Sequence, residues 1–282
     1  MLFFFLFLCI INNQVGDIAM GNIRLKNLQF SYDDQHEIFK DVNFFLRKGA
    51  TLSIIGTPGS GKTTLLRILN GELEYEGEVL INGVDVTQDN FDALRKCIAV
   101  VYRETNFITE LVKDELRYSL ENINVAPKII REKLNEINDY FGINKILNKS
   151  IGNLNLNDRT LVKILSYAIM EPTYLAIDDL LVDLDTRTKI LLLNYLNSKD
   201  IILINVTTNM DDVLYTDYMM CLYDGISAID GKTLEVLKNE KILKRLGFSL
   251  PFMLDLSIQL ELYGLISKTY LNKEGLVKNL WK

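Results

Sequence analysis

The chain has 282 residues, 48% hydrophobic and 24% charged, enough for one large domain with a sizeable core and an appendage. A net charge of −6 argues against a general nucleic-acid binder. One histidine, His36, and three scattered cysteines, Cys9, Cys97 and Cys221, exclude a His- or Cys-built metal centre and fit a reducing compartment.

The chain opens on "MLFFFLFLCII", eleven apolar residues. A membrane-spanning helix needs roughly 17–25, and no basic region precedes the run as a secretory signal requires. Met20 begins "MGNIRLKNLQFSY", which reads as the start of a domain, with residues 1–19 as an upstream-start extension or apolar leader. From there "NIRLKNLQFSY" alternates apolar and polar residues, as a half-buried strand does. "HEIFKDVNFFLRKGATLSIIG" continues as strands that close on the apolar run Leu52–Ile55. "KTTLLRILNG" predicts a helix ending near Gly71. "GEVLINGVDV" carries an Asn-Gly hairpin signal at Asn82–Gly83, and "CIAVVY" is a further strand. Residues from about Thr109 to Met170 are mostly helical in pattern, with breaks at Pro127 and Gly142. "YLAID" and "IILINVTT" are buried strands on either side of a helix at about 186–197. "YMMCLYDGISAIDG" is a strand pair, and a helical appendage broken at Pro251 follows from about 236. Strands interleaved with helices predict an α/β domain with a largely parallel sheet.

Two features carry chemistry. Gly56-Thr57-Pro58-Gly59-Ser60-Gly61-Lys62-Thr63 fits G-x-x-x-x-G-K-[ST], between a predicted strand and a predicted helix, as a phosphate-binding loop requires. Its glycines let backbone N–H groups turn toward phosphates, and the helix N-terminus adds a favourable dipole. In such a loop Lys62 holds the β- and γ-phosphates and Thr63 binds Mg²⁺, with Thr64 next in the helix. Asp178 ends the apolar run "YLAI", where a carboxylate can reach the same Mg²⁺ through its water shell.

On these residues the sequence resembles an ABC-transporter ATPase over about residues 22–235. The resemblance implies a P-loop NTPase fold: a RecA-like core with an antiparallel β subdomain and a helical subdomain. It makes Tyr32 the aromatic that stacks on adenine. "DNFDALRKCIAVVYRETNFI" matches the approach to the Q-loop, and "PTYLAIDDLLVDLD" the Walker B and D-loop region with Asp185 as the D-loop aspartate. "LVKDELRYSLEN" and the tail, "LKRLGFSLPF" followed by "GLVKNLW", narrow the resemblance to the ATP-binding subunits of energy-coupling factor (ECF) transporters. The domains expected are then 20–235, the nucleotide-binding domain, and 236–282, an ECF-type helical extension. The family implies ATP and Mg²⁺ as ligands and a second ATPase subunit as partner, in a homo- or heterodimer. It also implies a membrane coupling protein, and a substrate-binding membrane subunit that delivers a vitamin or metal ion. The chain would sit peripherally on the cytoplasmic face of the membrane.

Four positions depart from the family pattern. The Q-loop glutamine falls on Arg103, and the LSGGQ signature on Leu154-Asn155-Leu156-Asn157-Asp158. The catalytic glutamate falls on Asp179, and the switch histidine on Thr208. Asp179 is one methylene too short to hold a water where glutamate would, and misplacing a base by about an ångström costs on the order of a hundredfold. Leu156 and Asn157 bring Cβ atoms where the family has glycine. Asn155 or Asn157 can cap the helix that follows, and Asp158 suits its dipole while repelling a nucleotide. These changes predict a subunit that binds Mg-ATP and hydrolyses it weakly or not at all. A slow ATPase using Asp179 as base, and a non-transport regulatory or scaffold protein that keeps ATP as a structural ligand, are the competing readings. Glu104, Glu110, Asp114 and Glu115 form an acidic group after the Q-loop match; the resemblance implies that some of them face a basic coupling helix, and a solvated acidic face is the competing reading.

Overall fold

The structure is a computed structural model that describes residues 22–33, 36–90, 94, 97–271 and 273–280. The apolar run at 1–11 and Met20 lie outside the described residues. Among those described, no helix is long and apolar enough to cross a membrane.

Ten strands form one mixed sheet. At one end, β1 (Ile23–Ser31), β2 (Glu37–Leu46), β4 (Glu76–Ile81) and β5 (Val84–Asp85) pair antiparallel. The β4–β5 hairpin turns on Asn82 and Gly83, both at positive φ (54° and 75°), as a type I′ turn requires. At the other end β3 (Leu52–Gly56), β8 (Ile202–Val206), β7 (Tyr174–Asp178) and β6 (Ile98–Val101) run parallel. Strand β9 (Tyr218–Tyr223) is parallel to β3. The antiparallel hairpin from β9 to β10 (Ile226–Lys232) joins the two halves through one parallel pairing, Ile226 with Asp41.

The parallel strands are apolar throughout because both their faces are covered. Alternate residues point to opposite sides. Ile54, Tyr174, Ala176 and Ile204 join one core with helix α1 (Lys62–Leu69), which contributes Leu65, Leu66, Ile68 and Leu69. Leu175, Ile177 and Leu203 join a second core with helices α2 (Val112–Asn122), α3 (Pro127–Phe141), α4 (Leu156–Ala168) and α5 (Thr186–Ser198). Helix α3 begins on Pro127 and ends at Gly142, whose φ of 66° allows its N–H to bond back to the Asn138 carbonyl. Burial of each such leucine or isoleucine side chain contributes about 1.5–3 kcal/mol.

A third core lies under Ile55, Met219 and Cys221. It is completed by Met210 and Val213, by Val236 and Leu237 of α6 (Thr233–Leu237), and by Leu243 of α7 (Glu240–Arg245). Helices α8 (Phe252–Leu262) and α9 (Lys273–Leu280) follow. The C-terminal segment therefore shares a core with the strand that leads into Gly56.

Helix α5 is anchored to the turn Met210–Tyr215 by a buried ion pair. Lys189 Nζ lies 2.6 Å from Asp212 Oδ1, with the residues 8% and 1% exposed. Burial raises the Asp212 pKa even beside this cation. Lys189→Met should therefore cost about 3 kcal/mol, by leaving a buried carboxylate unpaired, and Lys189→Met with Asp212→Leu should recover most of it. Urea denaturation of the two variants checks this; equal destabilisation would count against the pair.

Candidate functional site

The residues singled out by the sequence converge where the parallel strands end. The loop from Gly56 to Gly61 leaves β3 and enters α1. Gly61 is the residue before the helix, with φ 90°, and no side chain caps the helix start. A Cβ on Gly61 would fall 2.6 Å from the Phe39 ring, and one on Gly56 would fall 2.8 Å from the Leu222 carbonyl, so both positions are closed to any other residue. Thr57 and Ser60 are joined by a turn, with Ser60 N–H donating to Thr57 O at 3.1 Å. Pro58 and Gly59 form the exposed tip. Ser60 Oγ is buried and has no partner among the described residues.

Lys62 folds back over this loop. Its Nζ donates to the carbonyls of Gly56 at 2.7 Å and Thr57 at 3.0 Å. Burial lowers its pKa, against the opposing pull of the Asp178 and Asp179 carboxylates. Thr63 Oγ1 donates to Asp178 Oδ2 at 2.6 Å. Asp178 is only 6% exposed; burial raises its pKa, opposed by the Thr63 hydrogen bond, and neighbouring Glu104 and Asp179 raise it further. The arrangement combines uncapped helix N–H groups, an ammonium and two oxygen donors at hydrogen-bond distance. That set fits a phosphate chain and a hard divalent cation, which takes oxygen ligands and would relieve the buried carboxylate.

Tyr32 stands at the edge of the same loop. Its hydroxyl lies 3.2 Å from Thr64 Oγ1, its ring packs edge-on against Phe30, and it is 52% exposed. An aromatic side chain is thus held beside the start of α1 and about half exposed.

Three of the departing residues, Arg103, Asp179 and Thr208, form a second cluster next to Asp178. Asp179 takes a left-handed φ of 53°, which aspartate tolerates better than most residues. Its N–H donates to Val206 O at 2.8 Å. Thr208 reaches it through two long contacts, N–H and Oγ1 to Asp179 Oδ1, both 3.4 Å. Arg103 approaches from the other side. Its Nη1 donates to the Asp179 carbonyl and lies 3.9 Å from Asp179 Oδ2, while Nη2 donates to Asp183 Oδ1 at 3.0 Å. The Arg103 carbonyl accepts from Lys163 Nζ of α4 at 2.9 Å. Arg103 is therefore an ion-paired bridge between β6, the end of β7 and α4.

The segment 154–158 lies apart from this loop, at the start of α4. Asn155 caps the helix, its Oδ1 accepting the Asp158 N–H at 2.8 Å. Asn157 does not cap; its Oδ1 accepts the Asp185 N–H at 2.9 Å and its Nδ2 donates to Thr188 Oγ1 at 3.3 Å. Asp185 in turn caps α5 through the Thr188 N–H at 2.8 Å. Leu156 is 60% exposed.

The acidic group at 104–115 is not one surface. Glu115 is turned inward, 6% exposed, and accepts from the Thr109 N–H at 2.8 Å, Thr109 Oγ1 at 2.9 Å and the Ile108 N–H at 3.1 Å. Asp114 pairs with Arg117 and Glu104 with Arg67, while Glu110 is exposed. A cavity of about 280 Å³ opens beside them, lined by Phe107, Ile108, Tyr118 and Tyr167 among others. Asp183 and Lys163 escaped sequence reasoning, as did the link from Asn157 to Asp185 and Thr188. A signal existed for the first: "DDLLVDLD" puts four carboxylates in eight residues, a density that calls for a cation.

The ABC transporter family model matches residues 39–182, just over half of the chain. The chain is 28% identical to the energy-coupling factor transporter ATP-binding protein EcfA of Malacoplasma penetrans, covering 92% of both chains. It is also 28% identical to EcfA1 of Streptococcus agalactiae, over 92% of this chain and 97% of that one. Among solved structures, cbiO1 from Clostridium perfringens, part of the ABC transporter complex cbiONQ, superposes with a TM-score of 0.69 at 23% identity. The match covers 81% of this chain and 95% of that one. With the mixed sheet, the loop and the strand-end carboxylate in place, the chain belongs to the ABC transporter family and carries its ATPase fold.

Proposed function

We propose that the chain is the ATP-binding subunit of an ECF-type importer, one that holds Mg-ATP and hydrolyses it weakly. The observation that carries this is a contrast within one site. The loop is complete, with Thr63 and Asp178 already joined at 2.6 Å. The neighbouring carboxylate, Asp179, is short, contacted by Arg103 and met by Thr208 only at 3.4 Å.

In this reading the N–H groups of Gly56, Thr57, Pro58-Gly59, Ser60 and Gly61 frame the phosphates, proline contributing none. Lys62 leaves the Gly56 and Thr57 carbonyls for the β- and γ-phosphates, Thr63 and Asp178 hold Mg²⁺, Thr64 lies by the phosphates, and Tyr32 offers its ring to adenine. Bound Mg²⁺ would supply charge neutralisation at the phosphates. What this chain lacks is a group that orients water. Asp179 occupies the place of the base, and Arg103 lies against it as a counter-charge. Thr208 has no imidazole. ATP binding then favours a closed pair of subunits and hydrolysis resets it.

The partners in this reading are a second ATPase subunit, a membrane coupling protein that meets the cavity by Phe107 and Tyr118, and a substrate-binding membrane subunit. The two EcfA relatives, matched over nine-tenths of the chain, support it. The chain would be peripheral, held at the cytoplasmic face of the membrane by those partners. Vitamins and metal ions are the cargo class, chosen by the membrane subunit.

Two outcomes follow. Lys62→Ala should weaken Mg-ATP binding about thirtyfold or more, the equivalent of roughly 2 kcal/mol for charge-assisted bonds lost. Titration calorimetry reads it, and equal affinities for variant and wild type would sink the assignment of the loop. In the reconstituted complex, with the partner's catalytic glutamate removed, Asp179→Glu with Thr208→His and Arg103→Gln should raise turnover about a hundredfold. Wild-type turnover that already matches an intact ABC dimer would favour Asp179 as a working base and overturn the weak-hydrolysis reading.

A further inference from the structure

The segment that joins α7 to α8 touches the candidate site at two points. Gly247, at φ 90°, lies beside the loop, where a Cβ built on it would sit 3.9 Å from the Thr57 methyl. Five residues on, the N–H of Phe252, the first residue of α8, donates to Asp211 Oδ1 at 2.7 Å. Pro251 precedes that helix and gives it no side-chain cap. Asp211 therefore supplies from another element what a cap residue supplies locally, with a charge that suits the start of an eleven-residue helix.

Asp211 lies in the turn Met210–Tyr215, two residues past Asn209 and three past Thr208. Every polar side chain at the start of this turn is engaged. Asn209 Oδ1 accepts the Asp211 N–H at 3.0 Å, and its Nδ2 donates to Asp212 Oδ2 at 3.3 Å. Asp212 is paired with Lys189 of α5. Met210 and Val213 sit in the core that Leu243 and Leu250 of the C-terminal extension help to build. Thr208, three residues before Asp211, is the residue that meets Asp179.

We propose that Asp211 is a positioning residue of the nucleotide site, through which the C-terminal extension holds Thr208 level with Asp179. This rests on reading Thr208 as the residue facing the γ-phosphate. Fixing the backbone of one residue costs conformational entropy. The tether to α8 meets that cost before nucleotide arrives. Without it, the ordering falls to the contact between Thr208 and the third phosphate. A diphosphate has no such group and makes no use of the ordering. The tether therefore sets the preference for ATP over ADP and leaves affinity for the two shared phosphates alone.

Mg-ATP and Mg-ADP affinities of the full chain, measured by calorimetry, test this. Asp211→Ala should weaken ATP about threefold and leave ADP unchanged, the scale of one exposed hydrogen bond. Asp211→Asn, which keeps an acceptor for Phe252, should stay at the wild-type ratio. Phe252→Pro removes the donor from the opposite side at a helix position where proline is well tolerated, and it should reproduce the Asp211→Ala loss. An unchanged ATP-to-ADP ratio in Asp211→Ala and Phe252→Pro, or parallel loss of both nucleotides, overturns the proposal. Failure of the wild type to bind Mg-ATP overturns the parent reading, and this one with it.

Discussion

The register of three parallel strands is the constraint on which the rest of the molecule depends. Ile54 lies opposite Val206, and Val206 opposite Asp178. Three chain segments far apart in sequence therefore end at one level. Two backbone bonds extend the alignment past the strands: Thr207 N–H to Ile54 O at 3.0 Å and Asp179 N–H to Val206 O at 2.8 Å. A slip of one residue in β7 would turn Asp178 to the opposite face of the sheet and bury an apolar neighbour's partner in its place. Both faces of these strands are packed, so no such slip is open to them. The precision of the site is thus a by-product of a core that tolerates only one register.

That dependence explains what could be read in advance. The loop, the strand before it and the helix after it are contiguous, and their glycines, lysine and threonine are legible as one string. The Asn82–Gly83 hairpin and the breaks at Pro127 and Gly142, which bound α3, were equally legible, because each rests on the backbone preference of one or two residues. Arg103 was visible as a cation but its partner was not. Asp183 is eighty residues away, and no periodicity relates the two. The inward turn of Glu115 was also hidden. It captures two N–H groups and a hydroxyl of the preceding loop, and only the packing of α2 decides which of several neighbouring carboxylates does so. Asn155 and Asn157 looked like equivalent caps in sequence. Geometry separates them, since the first residue before a helix faces its own N–H groups while the second residue inside faces outward to α5.

The charges of the site divide into two groups. Lys62 stands among loop carbonyls, with Asp178 held by a hydroxyl; burial lowers the pKa of the first and raises that of the second. Both ions are held short of full solvation, a state that an incoming anion and a divalent cation would each relieve. Arg103, Asp179 and Asp183 instead satisfy one another within the chain. The first group is poised toward a ligand and the second is closed upon itself, although the two share adjacent residues at 178 and 179.

Asn157 has a further meaning as a matter of reversibility. It stands where the resembled signature has glycine, and its side chain now serves the Asp185 N–H and the Thr188 hydroxyl. Two helix N-termini meet through that amide. Removing the side chain would strip a partner from the turn that starts α5, and the backbone at 157 would also gain the entropy of glycine in the unfolded chain. At this position a side chain performs a structural task for which glycine has no atoms. A glycine at 157 would therefore lose both contacts at once, and restoring the resembled pattern there calls for a compensating change in the turn at Asp185.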